Sequence, residues 1–413
     1  MVKQRVLKLP YNNKIMELLT TSEKNSVLSS MISIIDDSRD LILSANQQDL
    51  DAFGQDDQAL YDRLVVDSSK VDDMIKAVQV VMDQPDPIGR VRSSGVLDNG
   101  LRIENKTAPF GTILIIYESR PDVTIEAAVL AFKANNKILL KGGKEAVHTN
   151  RVLVDCWHQA LSDNGFSKDW IQLITLDREA TREFLKNPPE AIDLIVPRGG
   201  EKLIRFVKEH ATCAVLVSGR GNNFAYIASD ADWELVLPVI INAKMDKISA
   251  CNALDKILID ESTPDLQAKL QRLDAALREQ SVEMLADSSL LKLLTDAAPI
   301  ADESVWYEEF LAPKICFGVV DGLEPAIDKI NQYSGGHSNT ILTADKQKAD
   351  TFMEQVDSAA VYHNASTRFT DGGAMGVGAE LAISTDKLHH RGPLGLEQLV
   401  TNKYYVYGDG QVR

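Results

Sequence analysis

Two kinds of residue in this chain have types and spacing that could do chemistry. The first is a thiol. The four cysteines, Cys156, Cys213, Cys251 and Cys316, are widely separated and form no CxxC pair, so neither a disulfide framework nor a zinc site is indicated. Cys251 stands among small and polar neighbours in Ser249-Ala250-Cys251-Asn252-Ala253. That setting favours access and reactivity as a nucleophile, whereas an isolated cysteine is more often a small buried hydrophobe. The second kind is a pair of basic glycine turns. Lys141-Gly142-Gly143-Lys144 directly follows the apolar run 138–140, and Pro197-Arg198-Gly199-Gly200 directly follows 192–196. Each then enters a helical stretch. Glycines there let backbone N–H groups and a helix N-terminus meet phosphate, and the cations add charge. Either turn alone also reads as a plain strand-to-helix connection with solvated cations. Two of them leaving the C-terminal ends of sheet strands favour a binding crevice. Gly219-Arg220-Gly221 begins a GxGxxG pattern, but Phe224 stands at the third glycine position.

The elements that must position these residues follow from periodicity. Residues 11–83 read as helical, with apolar positions recurring every three or four residues through Ile15, Leu18 and Leu19 and then Val27, Leu28, Met31, Ile34 and Ile35. The segment 84–89, with two prolines and a glycine, ends this texture. Asp98-Asn99-Gly100 between two apolar pairs predicts a hairpin turn, which needs a further pairing partner to be stable. From Gly111 onward, short continuous apolar runs at 113–116, 138–140, 171–174, 192–196 and 214–217 alternate with helical stretches at 122–134, 144–161 and 200–210. Such strands predict a parallel sheet covered on both faces. After Tyr226 the pattern restarts, with a helix near 232–244, a strand at 256–259, a helix from Asp265 and a strand near 315–320. The Tyr- and Val-rich stretch 404–407 predicts a terminal strand. The expected fold class is α/β. It divides into a cofactor-binding domain (1–89 and 110–226), a catalytic domain (227–390) and an oligomerisation element (90–109 and 391–413).

Composition bounds the function. A chain of 413 residues with 44% hydrophobic and 25% charged residues suits two globular domains. Its formal net charge of −16 argues against nucleic-acid or anionic-membrane partners. No apolar run approaches membrane-span length and no targeting segment is evident, so a cytoplasmic location with reduced thiols is expected.

Several segments together resemble one known family. PFGTILIIYESRPDVT (109–124), KGGKEAVHTN (141–150), VPRGG (196–200), INAK (241–244), SACNALDKILI (249–259), EEFLAP (308–313) and the blocks NASTRFTDGG and GVGAELAISTDKLHHRGPLGLEQL within 364–399 are similar, in order, to the gamma-glutamyl phosphate reductases of the aldehyde dehydrogenase superfamily. The resemblance implies an aldehyde dehydrogenase-like fold with an atypical Rossmann cofactor domain, which accounts for the broken GxGxxG. It implies NADPH-dependent reduction of L-glutamyl 5-phosphate to L-glutamate 5-semialdehyde, the second step of proline biosynthesis. Cys251 falls on the catalytic nucleophile. Its backbone N–H would stabilise the oxyanion, with a second donor in the Ser119-Arg120 turn. Lys141, Gly142, Gly143 and Lys144 fall at the adenosine ribose of NADP(H), with Lys144 suited to the 2′-phosphate. Arg198, Gly199 and Gly200 fall at the pyrophosphate, and Glu309 at the nicotinamide ribose. Ser366, Thr367 and Arg368 are placed at the amino-acid end of the substrate and Arg120 near its phosphate; without the resemblance, 364–371 reads as a polar loop with an Arg368–Asp371 pair. No metal is implied.

Val217-Ser218 stand where hydrolytic relatives carry a glutamate base, which counts against the alternative of a semialdehyde oxidase. A non-catalytic paralogue is the other alternative, and retention of Cys251 with Glu309 counts against it. The chain departs from the family at Asn222-Asn223-Phe224, where Cys-His is common. It departs also at Lys247-Ile248, where Arg-Pro is common, and at Asp255-Lys256, where Glu-Thr is common. No kinase-like segment appears, so the resemblance implies a separate glutamate 5-kinase as supplier and possible partner. A homodimer or dimer-based oligomer is also expected.

Overall fold

The structure, a computed structural model, describes residues 17–54, 58–188 and 191–413, with Ala59 described by its backbone only, and all counts here refer to those residues. Ile15 of the first helical pattern lies outside them. The chain forms two compact units. One comprises the described residues up to Val217 with Val377–Ala382 and Leu394–Arg413; the other comprises Ser218–Gly376 and Ile383–Pro393.

In the first unit the helices Thr21–Asp37, Arg39–Asp51, Gln58–Leu64 and Ser68–Asp83 occupy most of the described part of the stretch predicted as helical, whereas Leu18 and Leu19, included in that pattern, precede the first helix. Thr20 starts the first of them with a capping box to Glu23. The parallel sheet has the order Ile171–Leu173, Lys137–Lys141, Thr112–Tyr117, Leu194–Arg198, Ala214–Val215. Its continuous apolar runs serve two cores. Ile113, Ile115, Ile138, Leu140, Leu194 and Val196 pack on the face covered by the helices Asp122–Lys133 and Val147–Asp163, while Leu114, Ile116, Leu139 and Ile195 pack with Val207 on the other. Alternate residues on opposite faces are what a doubly covered strand requires. The helix Arg178–Lys186 lacked a predicted counterpart, and the strand expected at 214–217 is reduced to Ala214–Val215.

The hairpin forms as predicted, with strands Val91–Val96 and Arg102–Pro109 joined through Gly100 at φ +88°. Its further partner is the terminal strand Val400–Tyr407, antiparallel to Arg102–Pro109 over eight residue pairs. Buried Asn136 links this small sheet to the large one: its Oδ1 accepts the Gly111 N–H at 3.0 Å and its Nδ2 donates to Leu399 O at 2.8 Å.

In the second unit seven parallel strands run in the order Ala298–Pro299, Glu283–Ala286, Lys314–Val320, Leu254–Asp260, Asn223–Ile227, Ser338–Leu342, Ala360–His363. The 226/227 boundary drawn from sequence falls inside the strand Asn223–Ile227, which hydrogen-bonds wholly within this sheet. Phe224, Tyr226, Leu258 and Cys316 face one core and Ala225, Ile227, Ile257, Ile259 and Phe317 the other. No described helix is long and apolar enough to cross a membrane.

Asn136→Ala leaves the part-buried Gly111 N–H and the buried Leu399 C=O without these partners. Unmet buried polar groups cost about 1–3 kcal/mol each, so the variant should unfold at a clearly lower denaturant concentration than the parent. An unchanged midpoint would show that water replaces both bonds.

Candidate active site

In the first unit the predicted nucleotide residues lie at the C-terminal ends of the sheet strands, where open α/β sheets bind ligands. Lys141 and Gly143 line a cavity of about 350 Å³ with Ile116, Tyr117, Glu118, Ser119, Glu145, Leu203 and Leu60. Burial pushes the Lys141 ammonium below its ordinary pKa, although Glu145, Asp177 and Glu118 pull it back, and its Nζ donates to Gly142 O at 3.2 Å. A Cβ at Gly143 would meet the Glu145 carboxylate, so only glycine leaves this edge of the cavity open. Exposed Lys144 starts the 3-10 turn Lys144–Ala146 and lines a second hollow of about 440 Å³ with His148, Asp49 and Phe53. The residues therefore suit a nucleotide, with a cationic edge and N–H groups beside a strand end. At the other turn, the Gly200 N–H donates to Glu118 Oε2 at 3.2 Å, so a carboxylate of the chain itself sits at the start of the helix Glu201–His210. Arg198 and Arg120 come together around Asp122. Burial would raise that carboxyl, but Arg120, Lys70 and Arg198 hold it below the ordinary range, and Arg120 pairs with it at 2.8 Å.

Ser119 is buried, has φ +37°, and both its N–H (2.9 Å) and its hydroxyl (2.7 Å) donate to Glu145 Oε1, which holds the turn against that carboxylate.

In the second unit half-buried Cys251 sits on a turn between the helix Trp233–Met245 and the strand Leu254–Asp260, and it forms no disulfide. The turn is fastened on both sides. Asn223, fully buried, shares its side-chain N–H groups among Gly221 O (2.8 Å), Cys251 O (2.8 Å) and Ala253 O (2.7 Å) and accepts the Ser338 N–H at 3.0 Å. Gly221 packs so closely on Cys251 O that a Cβ there would lie 1.9 Å from it. Asn252 Nδ2 donates to Arg368 O (3.2 Å) and Thr370 O (2.9 Å), and Thr367 Oγ1 donates to Asn252 O at 2.7 Å. The structure thus brings the predicted substrate loop against Asn252, the neighbour of the predicted nucleophile.

It also changes the roles within that loop. Thr367 is fully buried, and the Ser366 hydroxyl accepts the Arg368 N–H at 3.3 Å. Arg368 pairs with Asp246 through Nε at 2.9 Å and with Asn252 Oδ1 through Nη1, in place of the Asp371 considered from sequence. These side chains build the loop, and Arg368 reaches Asn252 beside the thiol.

Glu309 is half-buried. Burial, and next Asp255, push its carboxyl above the ordinary range, against the Gly221 N–H, His337 and Arg220. Its neighbours are held by Asp255 and Lys256, which sequence reasoning noted only as departures. Asn223 was likewise visible only as a departure, and Glu118, Glu145 and Asp246 carried no signal beyond proximity to the quoted motifs. Among the described residues no group of three or more His, Cys, Asp or Glu could hold a metal ion.

Comparison with known proteins was informative for the whole chain. The aldehyde dehydrogenase family profile matches residues 15–289. A gamma-glutamyl phosphate reductase of Dictyoglomus thermophilum is 38% identical over 99% of this chain and 99% of its own length. Gamma-glutamyl phosphate reductase 2 of Bacillus licheniformis is 40% identical over 100% of this chain and 97% of its own. The crystal structure of gamma-glutamyl phosphate reductase from Thermotoga maritima superposes with a TM-score of 0.91 at 39% identity, covering 97% of this chain and 96% of that one.

The buried lysine of this unit gives a pH test. Burial drives the Lys256 pKa down to about 8, against the pull of Asp255, Cys316 and Glu308. An unfolded lysine titrates near ~10.4, so between these values the unfolded chain binds a proton that the folded chain does not. Stability carried by this group therefore rises with pH across that window. Lys256→Met removes the titration, and the melting temperature of the parent relative to the variant should climb between pH 8 and 10. A constant difference would contradict the buried-ammonium assignment.

Proposed function

Because the chain belongs to the aldehyde dehydrogenase family and, within it, to the gamma-glutamyl phosphate reductases, we propose that it reduces L-glutamyl 5-phosphate to L-glutamate 5-semialdehyde through a thioester on Cys251. It is an oxidoreductase acting in the second step of proline biosynthesis, on a small-molecule substrate, with a nicotinamide cofactor. The observation that carries the mechanism is the Cys251 turn, a half-buried thiol whose backbone is held on both sides by buried asparagines.

The thiolate attacks the acyl carbon, the bond to the phosphate oxygen breaks, and phosphate leaves with the electron pair. Covalent capture divides one hard reduction into two easier steps. The cofactor, when bound, supplies the hydride that reduces the acyl group. The C=O bond then re-forms from the thiohemiacetal, the C–S bond breaks, and Cys251 leaves as thiolate with the aldehyde released. The Cys251 backbone N–H is assigned to the oxyanion, where one such donor contributes about 3–4 kcal/mol. Asn223 and Asn252 fasten the turn just C-terminal to that peptide. Arg368 is assigned to the amino-acid end through its position against Asn252, with Ser366 and Thr367 shaping its loop. Val217-Ser218 offer no carboxylate to activate water, which suits an enzyme whose thioester must survive.

The cofactor is assigned as NADP(H). Lys141, Gly142 and Gly143 are assigned to the adenosine ribose, Lys144 to the 2′-phosphate, and Arg198, Gly199 and Gly200 to the pyrophosphate, which requires Glu118 to yield the Gly200 N–H. Glu309 is assigned to the nicotinamide ribose. Exposed Val91, Val96, Leu97, Tyr404 and Val406 on the three-stranded sheet favour a closed homodimer or dimer-based oligomer. The lability of an acyl phosphate favours association with the kinase that makes it.

Cys251→Ala should lower phosphate-dependent oxidation of glutamate 5-semialdehyde by more than about 1000-fold, while NADPH binding stays within about twofold of the parent in a fluorescence titration. Alanine at Cys156, Cys213 or Cys316 should retain most activity. Turnover by Cys251→Ala within tenfold of the parent would refute the covalent route.

A further inference from the structure

The segment carrying Glu309 is a short loop whose neighbours Tyr307, Glu308 and Leu311 are exposed, with Leu311 at φ +48°. Loops with few buried contacts open easily, so something must fix the carboxylate. The structure shows what does. On the N-terminal side of Glu309, Lys256 Nζ donates to Glu308 O at 2.7 Å. On the C-terminal side, the same ammonium lies 3.7 Å from the centroid of the Phe310 ring, and Asp255 Oδ2 accepts the Phe310 N–H at 2.8 Å. Asp255 Oδ1 in turn accepts from Lys244 Nζ at 2.9 Å. Lys244, Asp255 and Lys256 are exposed by 0%, 2% and 0%.

A fully buried ammonium is expensive and persists only where hydrogen bonds, a ring face or an opposite charge offset the lost water. Lys256 finds all three, and two of them are the residues that flank Glu309. Its base is the strand Leu254–Asp260, which begins three residues after Cys251. The chain therefore joins the loop of Glu309 to the strand that issues from the nucleophile's turn. Threonine, the residue common in the family at this position, is too short to reach Glu308 O from the same backbone site.

We infer that Lys256, seated by Asp255, is a positioning residue for Glu309 and through it for binding the nicotinamide ribose. The inference rests on the assignment of Glu309 to that ribose. Lys256 touches neither substrate nor reacting atoms; it sets where the carboxylate stands. Its removal should therefore act on cofactor binding and leave thiol reactivity alone.

The test is steady-state kinetics with NADPH as the varied ligand in the full-length protein, comparing the parent with Lys256→Met, Lys256→Gln, Glu309→Ala and the Lys256→Met/Glu309→Ala double variant. Methionine fills a similar volume without a charge, so the fold should persist, and circular dichroism with a melting curve checks this. Lys256→Met should raise the KM for NADPH about 5–10-fold with kcat within about twofold, a pattern of lost binding shared by ground and transition states. Lys256→Gln, which keeps a donor, should recover part of that loss. Alkylation of Cys251 by iodoacetamide should proceed at the parent rate. In the Glu309→Ala background, Lys256→Met should add less than about twofold, because coupled residues are not additive. No change of KM in Glu309→Ala would overturn the ribose assignment and this inference with it. A raised KM in Glu309→Ala with none in Lys256→Met, or a full additional loss in the double variant, would overturn the positioning role alone.

Discussion

The second unit depends on how one peptide turn is fastened, because the nucleophile and the oxyanion donor proposed for this chain lie on the same residue. A thiol can move on its rotamers, but the N–H of Cys251 can serve a developing charge only if the backbone is fixed to within a few tenths of an ångström. Asn223 supplies that constraint from inside the sheet. Its side-chain N–H groups hold the carbonyls on either side of Asn252, and its oxygen accepts from Ser338 on the adjoining strand. Gly221 lies against Cys251 O at a distance no side chain would allow. Asn252 then carries the constraint outward to the loop of Thr367, Arg368 and Thr370.

The first unit, to which the nucleotide is assigned in the proposed function, meets a different problem, since such a ligand is anionic and the chain is acidic overall, with a net charge of −16. Local groups must override the global sign. Lys141 lines the cavity among carboxylates; Glu118 accepts the Gly200 N–H of one glycine turn, and Glu145 accepts the N–H of Ser119. A carboxylate at a helix N-terminus is stabilising by itself, and here it keeps the Gly200 N–H satisfied.

What was legible in the sequence follows from the range of the interactions. The strands at 113–116 and 138–140 were legible because both faces are covered, which makes every residue apolar. The hairpin was legible because Asn99-Gly100 encodes its own turn. Cys251 and the glycine turns stood out by local composition, and the family resemblance then supplied their roles. The partners of those residues were not legible. Asn223 reaches Cys251 across 28 positions, Arg368 reaches Asp246 across 122, and Ser119 reaches Glu145 across 26. Such contacts exist only once strands are ordered in a sheet. The family resemblance placed Ser119 near the oxyanion and Ser366 and Thr367 near the amino-acid end, but it could not show that their hydroxyls bond to Glu145, Arg368 and Asn252 within the fold. The boundary drawn at 226/227 cut the strand Asn223–Ile227 for the same reason, since strand pairing is not written in local periodicity.

The proposed reaction requires a thioester that phosphate, and not water, releases. The most direct measurement is a single-turnover experiment in the oxidative direction, mixing the enzyme with glutamate 5-semialdehyde and NADP in phosphate-free buffer while following NADPH absorbance. A rapid burst of about one NADPH per active site should appear and then stop, with Cys251 carrying a glutamyl mass adduct, and added phosphate should restore continuous turnover. Sustained turnover without phosphate, or a burst with no adduct on Cys251, would contradict it.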